Sequence, residues 1–281
     1  MVLTLSSPAK VNLFLKVVGQ RPDGFHELAS LMQTVDLCDT LHFTLDKEDS
    51  LTCDDPTIPT DGTNLILKAA ALFRRKVQKH FGVRVHLEKL IPSQSGLGGG
   101  SSNAATTLWA LNTLLDWPAT LDELKEWSAE IGSDVPFFFS KGTAYCTGRG
   151  EKVKMIDPLP AKNLWIVKPE QGLPTPAIYN RMRIEELEER DHEAALESIL
   201  QGESRYFNDL EEPAFAIYPK LAAIKEKMID AGFKTVTMTG SGSALFCTGD
   251  SKPPQTPDIR SYATAFLNRS DNEWFKPCCG G

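Results

Sequence analysis

Four glycines in five positions constrain this chain more than any other feature: Gly96-Leu97-Gly98-Gly99-Gly100 runs directly into Ser101-Ser102-Asn103 and an Ala/Leu-rich stretch ending at Leu115. A segment with so few Cβ atoms has little to bury, and the residues after it favour helix. The pair therefore reads as a loop feeding a helix N-terminus, with Ser and Asn as its caps. A helix start directs unpaired N–H groups and about half a positive charge outward, and glycine lets a ligand approach the backbone. Together they make an anion cradle. A glycine cluster by itself is equally a flexible turn; the two hydroxyls at the helix start and the strand-like residues before the loop weigh toward the cradle.

Two other phosphate loops do not fit. The P-loop needs Gly-Lys, a dipeptide absent from the chain, and a dinucleotide fingerprint needs a third glycine where Ser101 stands. Overall charge narrows the partner further. Thirty Lys and Arg against thirty-seven Asp and Glu leave a net charge of −7 and a pI near 5.4, the wrong sign for a protein that grips nucleic acid through a basic surface. Any phosphate must be held locally. The six cysteines (Cys38, Cys53, Cys146, Cys247, Cys278 and Cys279) form no CxxC pair and no Cys/His ligand spacing, which points to a reduced compartment and no structural metal. The start, MVLTLSSPAKVNLFLK, lacks the layout of a signal peptide, and no apolar run approaches the ~20 residues needed to span a bilayer. A cytoplasmic protein with no membrane partner is expected; monomer and homodimer both stay open.

With 41% hydrophobic and 24% charged residues over 281 positions, the chain has material for one large or two ordinary domains. Residues 11–18, 41–45 and 83–87 read as strands, 64–81 as an amphipathic helix, and Arg21-Pro22-Asp23-Gly24 as a turn. After the glycine loop and its helix, a second helix over 121–131 ends at Gly132, and Ser133-Asp134-Val135-Pro136 starts a third segment. From about residue 155 a second unit begins: a strand at 164–167, helices at 191–200 and 212–231, and strands at 235–238 and 244–247. Residues 250–257 are loop by composition, followed by one more helix and a last short strand around Trp274. The fold class is α+β, divided into 1–154 and 155–281.

Four segments resemble the GHMP kinases, the superfamily of galactokinase, homoserine kinase and mevalonate kinase. Pro92 to Ala105 (PSQSGLGGGSSNAA) is similar to their ATP-binding loop, and Pro8-Ala9-Lys10-Val11-Asn12-Leu13 to their first motif. Gly132 to Phe137 (GSDVPF) resembles their acidic motif, and Thr239 to Ala244 (TGSGSA) their C-terminal glycine turn. The resemblance implies an N-terminal ribosomal protein S5 domain 2-like α+β domain and a C-terminal ferredoxin-like α+β domain. It also implies ATP and Mg²⁺, and transfer of the γ-phosphate to a small-molecule hydroxyl. SPAKVNLFLKVVGQRPDGFHEL, with GLGGGSSNAA and GSDVPFF, is similar to the branch whose acceptor is the 2-hydroxyl of a cytidine-diphosphate-linked methylerythritol.

Phosphoryl transfer asks mainly for positioning, charge stabilisation and a group to orient the hydroxyl. The resemblance assigns the catalytic roles to Lys10 and Asp134; taken alone, the first is a solvated strand-end lysine and the second a helix cap. It assigns ATP to Pro92, Gly96, Leu97, Gly98, Gly99, Gly100, Ser101, Ser102 and Asn103. The acceptor goes to Asn12, Phe25, His26, Tyr179, Gly240 and Ser241. Phe25 and His26 suit stacking on a pyrimidine and bonding its edge, with Tyr179 on the opposite face; taken alone, Phe25 is equally a core residue and His26 an exposed one. No protein carboxylate stands out as a Mg²⁺ ligand, and Ser102 is a weak candidate. Ser93-Gln94-Ser95 departs from the smaller residues the family carries before the glycines.

Overall fold

The computed structural model describes residues 1–276. Two long antiparallel strands, β1 (Leu3–Gln20) and β2 (His26–Asp46), pair around the turn at Arg21–Phe25, where Asp23 accepts from the Phe25 amide at 3.1 Å. Their central residues are buried on both faces, so they carry apolar runs rather than alternation, and only fragments of them stand out in the sequence. β1 contains register shifts at Pro8/Ala9 and Asn12/Phe14. Such bulges re-aim side chains; here they bracket Lys10 and Asn12.

β3 (Ser50–Cys53), α1 (Leu65–Val77), β4 (Gly82–Glu88), α2 (Gly99–Leu114) and α3 (Leu121–Ser128) follow, then a one-turn 3₁₀ segment (Pro136–Phe139) and the hairpin β5 (Thr143–Gly148) and β6 (Lys152–Met155). The chain continues through β7 (Asn163–Pro169), α4 (Thr175–Arg181), α5 (His192–Leu200) and β8 (Phe207–Asn208). It ends with α6 (Glu211–Ile217), α7 (Pro219–Asp230), β9 (Thr235–Met238), β10 (Leu245–Thr248) and β11 (Ile259–Ala265). The first sheet runs β3-β4-β2-β1-β8, with β5 on β2 and β6 on β5; the second runs β11-β7-β10-β9. Helices α1 and α2 bury Ile66, Phe73, Leu108 and Trp109 with Phe43, Val85 and Leu87 of the first sheet, while Val11, Leu13, Ile166 and Phe246 pack the two sheets together. β8 crosses from the second half to lie parallel on β1, and Asn208 then holds the carbonyls of Met238 and Gly240, each at 2.8 Å. Among the described residues, no helix is long and apolar enough to cross a membrane.

Several expectations need correction. The single helix over 212–231 is two, because Pro219 lacks the N–H a continuing helix needs and instead opens α7. The segment after residue 257 is not a helix but β11, edge-paired with β7. No strand forms around Trp274; the indole turns inward, 5% exposed, lies tilted against Trp109 with centroids 5.0 Å apart and donates to the Ser6 carbonyl at 2.9 Å. The glycine-loop helix starts two residues earlier than its serines suggest, with Gly98 as N-cap. Cys53, Cys146 and Cys247 are free thiols; Cys278 and Cys279 lie outside the described residues.

Trp274 ties the last described residues into the first core. Trp274→Ala is expected to cost about 3–5 kcal/mol in chemical denaturation, and a loss below about 1 kcal/mol would mean that this segment is dispensable to the fold.

Candidate active site

The site is built where β1, the glycine loop and the turn between β9 and β10 converge. Gly96 and Gly98 both adopt left-handed backbone, φ 77° and 71°. A side chain at Gly96 would overlap the Thr239 carbonyl, with its Cβ only 2.0 Å from the oxygen, and one at Gly98 would press on the aliphatic stem of Lys10. The glycines thus serve close backbone approach on the inside as well as amide exposure on the outside. The Lys10 amide donates to the Leu97 carbonyl at 2.9 Å, seating the loop on β1.

Lys10 is 2% exposed, and a buried ammonium has to be partnered. Its Nζ donates to Gly96 O and Asn12 Oδ1, both at 2.7 Å, and lies 3.5 Å from Asp134 Oδ2. Asp134 stands just before the 3₁₀ turn, its side chain 32% exposed toward the cavity. Asn12 lines the same cavity, and its carboxamide is engaged at both ends. Oδ1 accepts from Lys10, from Gly240 N at 2.8 Å and from Thr239 Oγ1 at 3.1 Å, and Nδ2 donates to Ser30 at 2.8 Å. This places Asn12 as the clamp between the ammonium and the C-terminal turn.

Two cavities meet at this point. The first, about 590 Å³, runs from Lys10 and Asp134 past Gly240 and Ser241 to Phe25, His26 and Tyr179. The second, about 390 Å³, lies over the glycine loop and the start of α2 between Pro59, Asn64 and Lys89. Of the residues assigned to ATP, Pro92, Gly96, Gly98, Gly99, Gly100, Ser101 and Asn103 line the second cavity. Leu97 and Ser102 are fully buried beneath it, Ser102 lying 2.8 Å from the Ser7 hydroxyl. The buried Asp39 fixes this arrangement from behind: it accepts from the Leu90 and Ile91 amides at 2.8 Å, from Lys89 Nζ at 3.0 Å and from Asn103 Nδ2 at 3.1 Å. One carboxylate therefore sets both the arm leading into the glycines and the first turn of α2.

At the far end of the first cavity His26 and Tyr179 stack on each other, centroids 5.0 Å apart, while Phe25 is 53% exposed under the Arg149 guanidinium, 4.9 Å from its ring centre. Burial lowers the pKa of His26 below its ordinary 6.5. The same cause, with the Asp134 charge adding to it, raises Tyr179 above the usual phenol value. At pH 7 this end presents a neutral imidazole and a neutral phenol. Arg149, Thr175 and Asn180 also line the cavity and escaped the sequence reading. A lone cation bracketed by Gly148 and Gly150 was the available signal for Arg149. Thr175 had none; its hydroxyl bonds Ser241 at 2.7 Å across a long stretch of chain.

Comparison with known proteins identifies the family and the fold. The profile of the GHMP kinases N-terminal domain matches residues 64–142, and that of the GHMP kinases C-terminal domain matches residues 184–264. The 4-diphosphocytidyl-2-C-methyl-D-erythritol kinase of Protochlamydia amoebophila (strain UWE25) is 50% identical over 97% of this chain and 93% of its own length. The chloroplastic enzyme of the same name from Arabidopsis thaliana is 42% identical over 98% of this chain and 76% of its own. A crystal structure of 4-(cytidine 5'-diphospho)-2C-methyl-D-erythritol kinase superposes with a TM-score of 0.78 at 34% identity, covering 94% of this chain and 98% of that one. Homoserine kinase from Cytophaga hutchinsonii shares the fold, with a TM-score of 0.71 at 17% identity over 95% of each chain.

The His26 imidazole is expected to titrate below pH 6.5 in ¹⁵N-detected NMR, with Tyr179→Ala, which removes the covering ring, bringing it back toward 6.5. A wild-type titration at or above 6.5 would show that His26 is solvated rather than covered.

Proposed function

The chain belongs to the GHMP kinases, and from that membership we propose that it is an ATP-dependent 4-diphosphocytidyl-2-C-methyl-D-erythritol kinase. It would phosphorylate the 2-hydroxyl of its acceptor in the non-mevalonate route to isoprenoid precursors. One observation carries the reading: Lys10 and Asp134, 3.5 Å apart, line the cavity that ends in aromatic and imidazole groups, beside its junction with the glycine-loop cavity. The glycine-loop cavity suits a polyphosphate, the aromatic one a pyrimidine nucleotide.

In this reading the free amides at the start of α2 hold the ATP phosphates, and Asp134 orients the acceptor hydroxyl and takes its proton. In a loose transition state that proton leaves late, so an ionised carboxylate within hydrogen-bond reach suffices. Lys10, already held by Gly96 and Asn12, is pre-aimed between the carboxylate and the terminal phosphate, where it offsets charge without reorganising. Phe25, His26 and Tyr179 would hold the cytosine, and Gly240 and Ser241 the acceptor beside Lys10. Mg²⁺ would enter as part of the MgATP substrate. Its oxygen ligands would then be chiefly phosphate oxygens and water. The buried Ser102 is a poor direct ligand. The division at residue 155 falls at the end of β6, ahead of the change of sheet to β7, although β8 returns to the first sheet.

A coupled ADP-release assay should show turnover with 4-diphosphocytidyl-2-C-methyl-D-erythritol and none with homoserine or mevalonate; the reverse preference would overturn the assignment. Asp134→Ala is expected to lower kcat by ~10²-fold or more while nucleotide affinity stays within about twofold. Unchanged turnover would remove Asp134 from the mechanism.

A further inference from the structure

The glycine loop is preceded by a residue whose size and conformation the phosphate cradle does not explain. Gln94 adopts left-handed backbone, φ 50°, at a position where glycine would be unstrained. It lines both cavities, and the other residues that do so, Gly96 and Gly98, contribute no side chain. Gln94 is therefore the one side chain in the wall the two cavities share, among the described residues.

That side chain reaches across to the loop between β7 and α4. A Cβ built at Gly172 would lie 2.6 Å from Gln94 Oε1 and 2.7 Å from its Cβ, so Gly172 leaves the space the side chain occupies. The loop it meets is fixed: Gln171 O accepts from Ser243 Oγ at 2.5 Å and from the buried Lys168 ammonium at 3.2 Å. Next to it, the Ala244 amide holds the Ser95 carbonyl at 3.1 Å. Both neighbouring segments are thus anchored, and the exposed Gln94 side chain stands between the two cavities they border. A carboxamide at that position can offer an N–H to a phosphate oxygen of a ligand spanning the two cavities.

Resting on the kinase reading above, we propose that Gln94 is a positioning and specificity-determining residue that closes the seam between the nucleotide and acceptor cavities. Its carboxamide N–H donates to a phosphate oxygen at the junction, and its bulk keeps water from the γ-phosphorus. Without that wall, a water oxygen bonds to the γ-phosphorus as the bond to the β–γ bridging oxygen breaks, giving ADP and inorganic phosphate with release of a proton. With it, the acceptor hydroxyl is the nucleophile within reach.

Gln94→Gly tests this cleanly, since glycine suits the backbone there and the fold should survive. The expected result is a rise of about tenfold in phosphate release from ATP relative to phosphoryl transfer, with a higher acceptor KM and a thermal midpoint no lower than wild type. Gly172→Ala should produce the same leak by pushing the side chain aside. The double variant Gln94→Gly with Gly172→Ala should be no worse than Gln94→Gly alone, because the clash is gone. A residue with only a structural role would move the melting temperature and leave the hydrolysis-to-transfer ratio alone. If wild type phosphorylates the cytidine-linked acceptor and Gln94→Gly keeps that ratio and the acceptor KM within twofold, Gln94 is not the seam and the kinase reading stands. If wild type fails to phosphorylate that acceptor, both fall.

Discussion

A lysine ammonium sealed inside a protein has to be surrounded by oxygens, and satisfying Lys10 organises this molecule. Its acceptors come from three places in the chain: Asn12 on the same strand, Gly96 in the glycine loop and Asp134 ahead of the 3₁₀ turn. None of these segments can move without leaving a buried charge short of a partner, a loss of several kcal/mol. The charge that would stabilise a transferring phosphoryl group is thus the same one that holds the loop, the strand and the acid in register. Stability and pre-organisation come from one set of hydrogen bonds.

The fold is arranged to make that convergence possible. Bulges on either side of Lys10 and Asn12 turn both side chains toward the C-terminal turn. Asn12 takes the Gly240 amide, and Asn208, at the end of the strand that crosses from the second half, takes the Gly240 carbonyl. Two asparagines thereby fasten the turn from opposite sides, locking the second sheet to the first at the site. Asp39 does the equivalent work behind the nucleotide cavity, satisfying two loop amides, Lys89 and Asn103 with one buried carboxylate.

Much of this was legible in the sequence, for identifiable reasons. The glycine run, the Lys10–Asn12 pair, Gly132 to Phe137 and the turn at Thr239 to Ala244 are local patterns with fixed chemistry, and their order along the chain made a GHMP kinase the natural reading. Element boundaries read less well. β1 and β2 are buried on both faces, which hides strand periodicity, and the helix over residues 212–231 conceals its break because Pro219 also opens helices. Trp274 was misread because an indole in a short terminal segment can be a strand residue or a plug, and only the Ser6 carbonyl and the Trp109 ring decide it. Arg149, Thr175 and Asp39 matter through partners far away in sequence. That information exists only after folding.

The most direct test of the central role of Lys10 is single-turnover phosphoryl transfer by Lys10→Met, which keeps the stem beneath Gly98 and removes the charge. Transfer should slow by ~10²-fold or more, with the cytidine substrate still binding within a few-fold of wild type. A rate within a few-fold of wild type would contradict the view that this buried ammonium is the hub of the site.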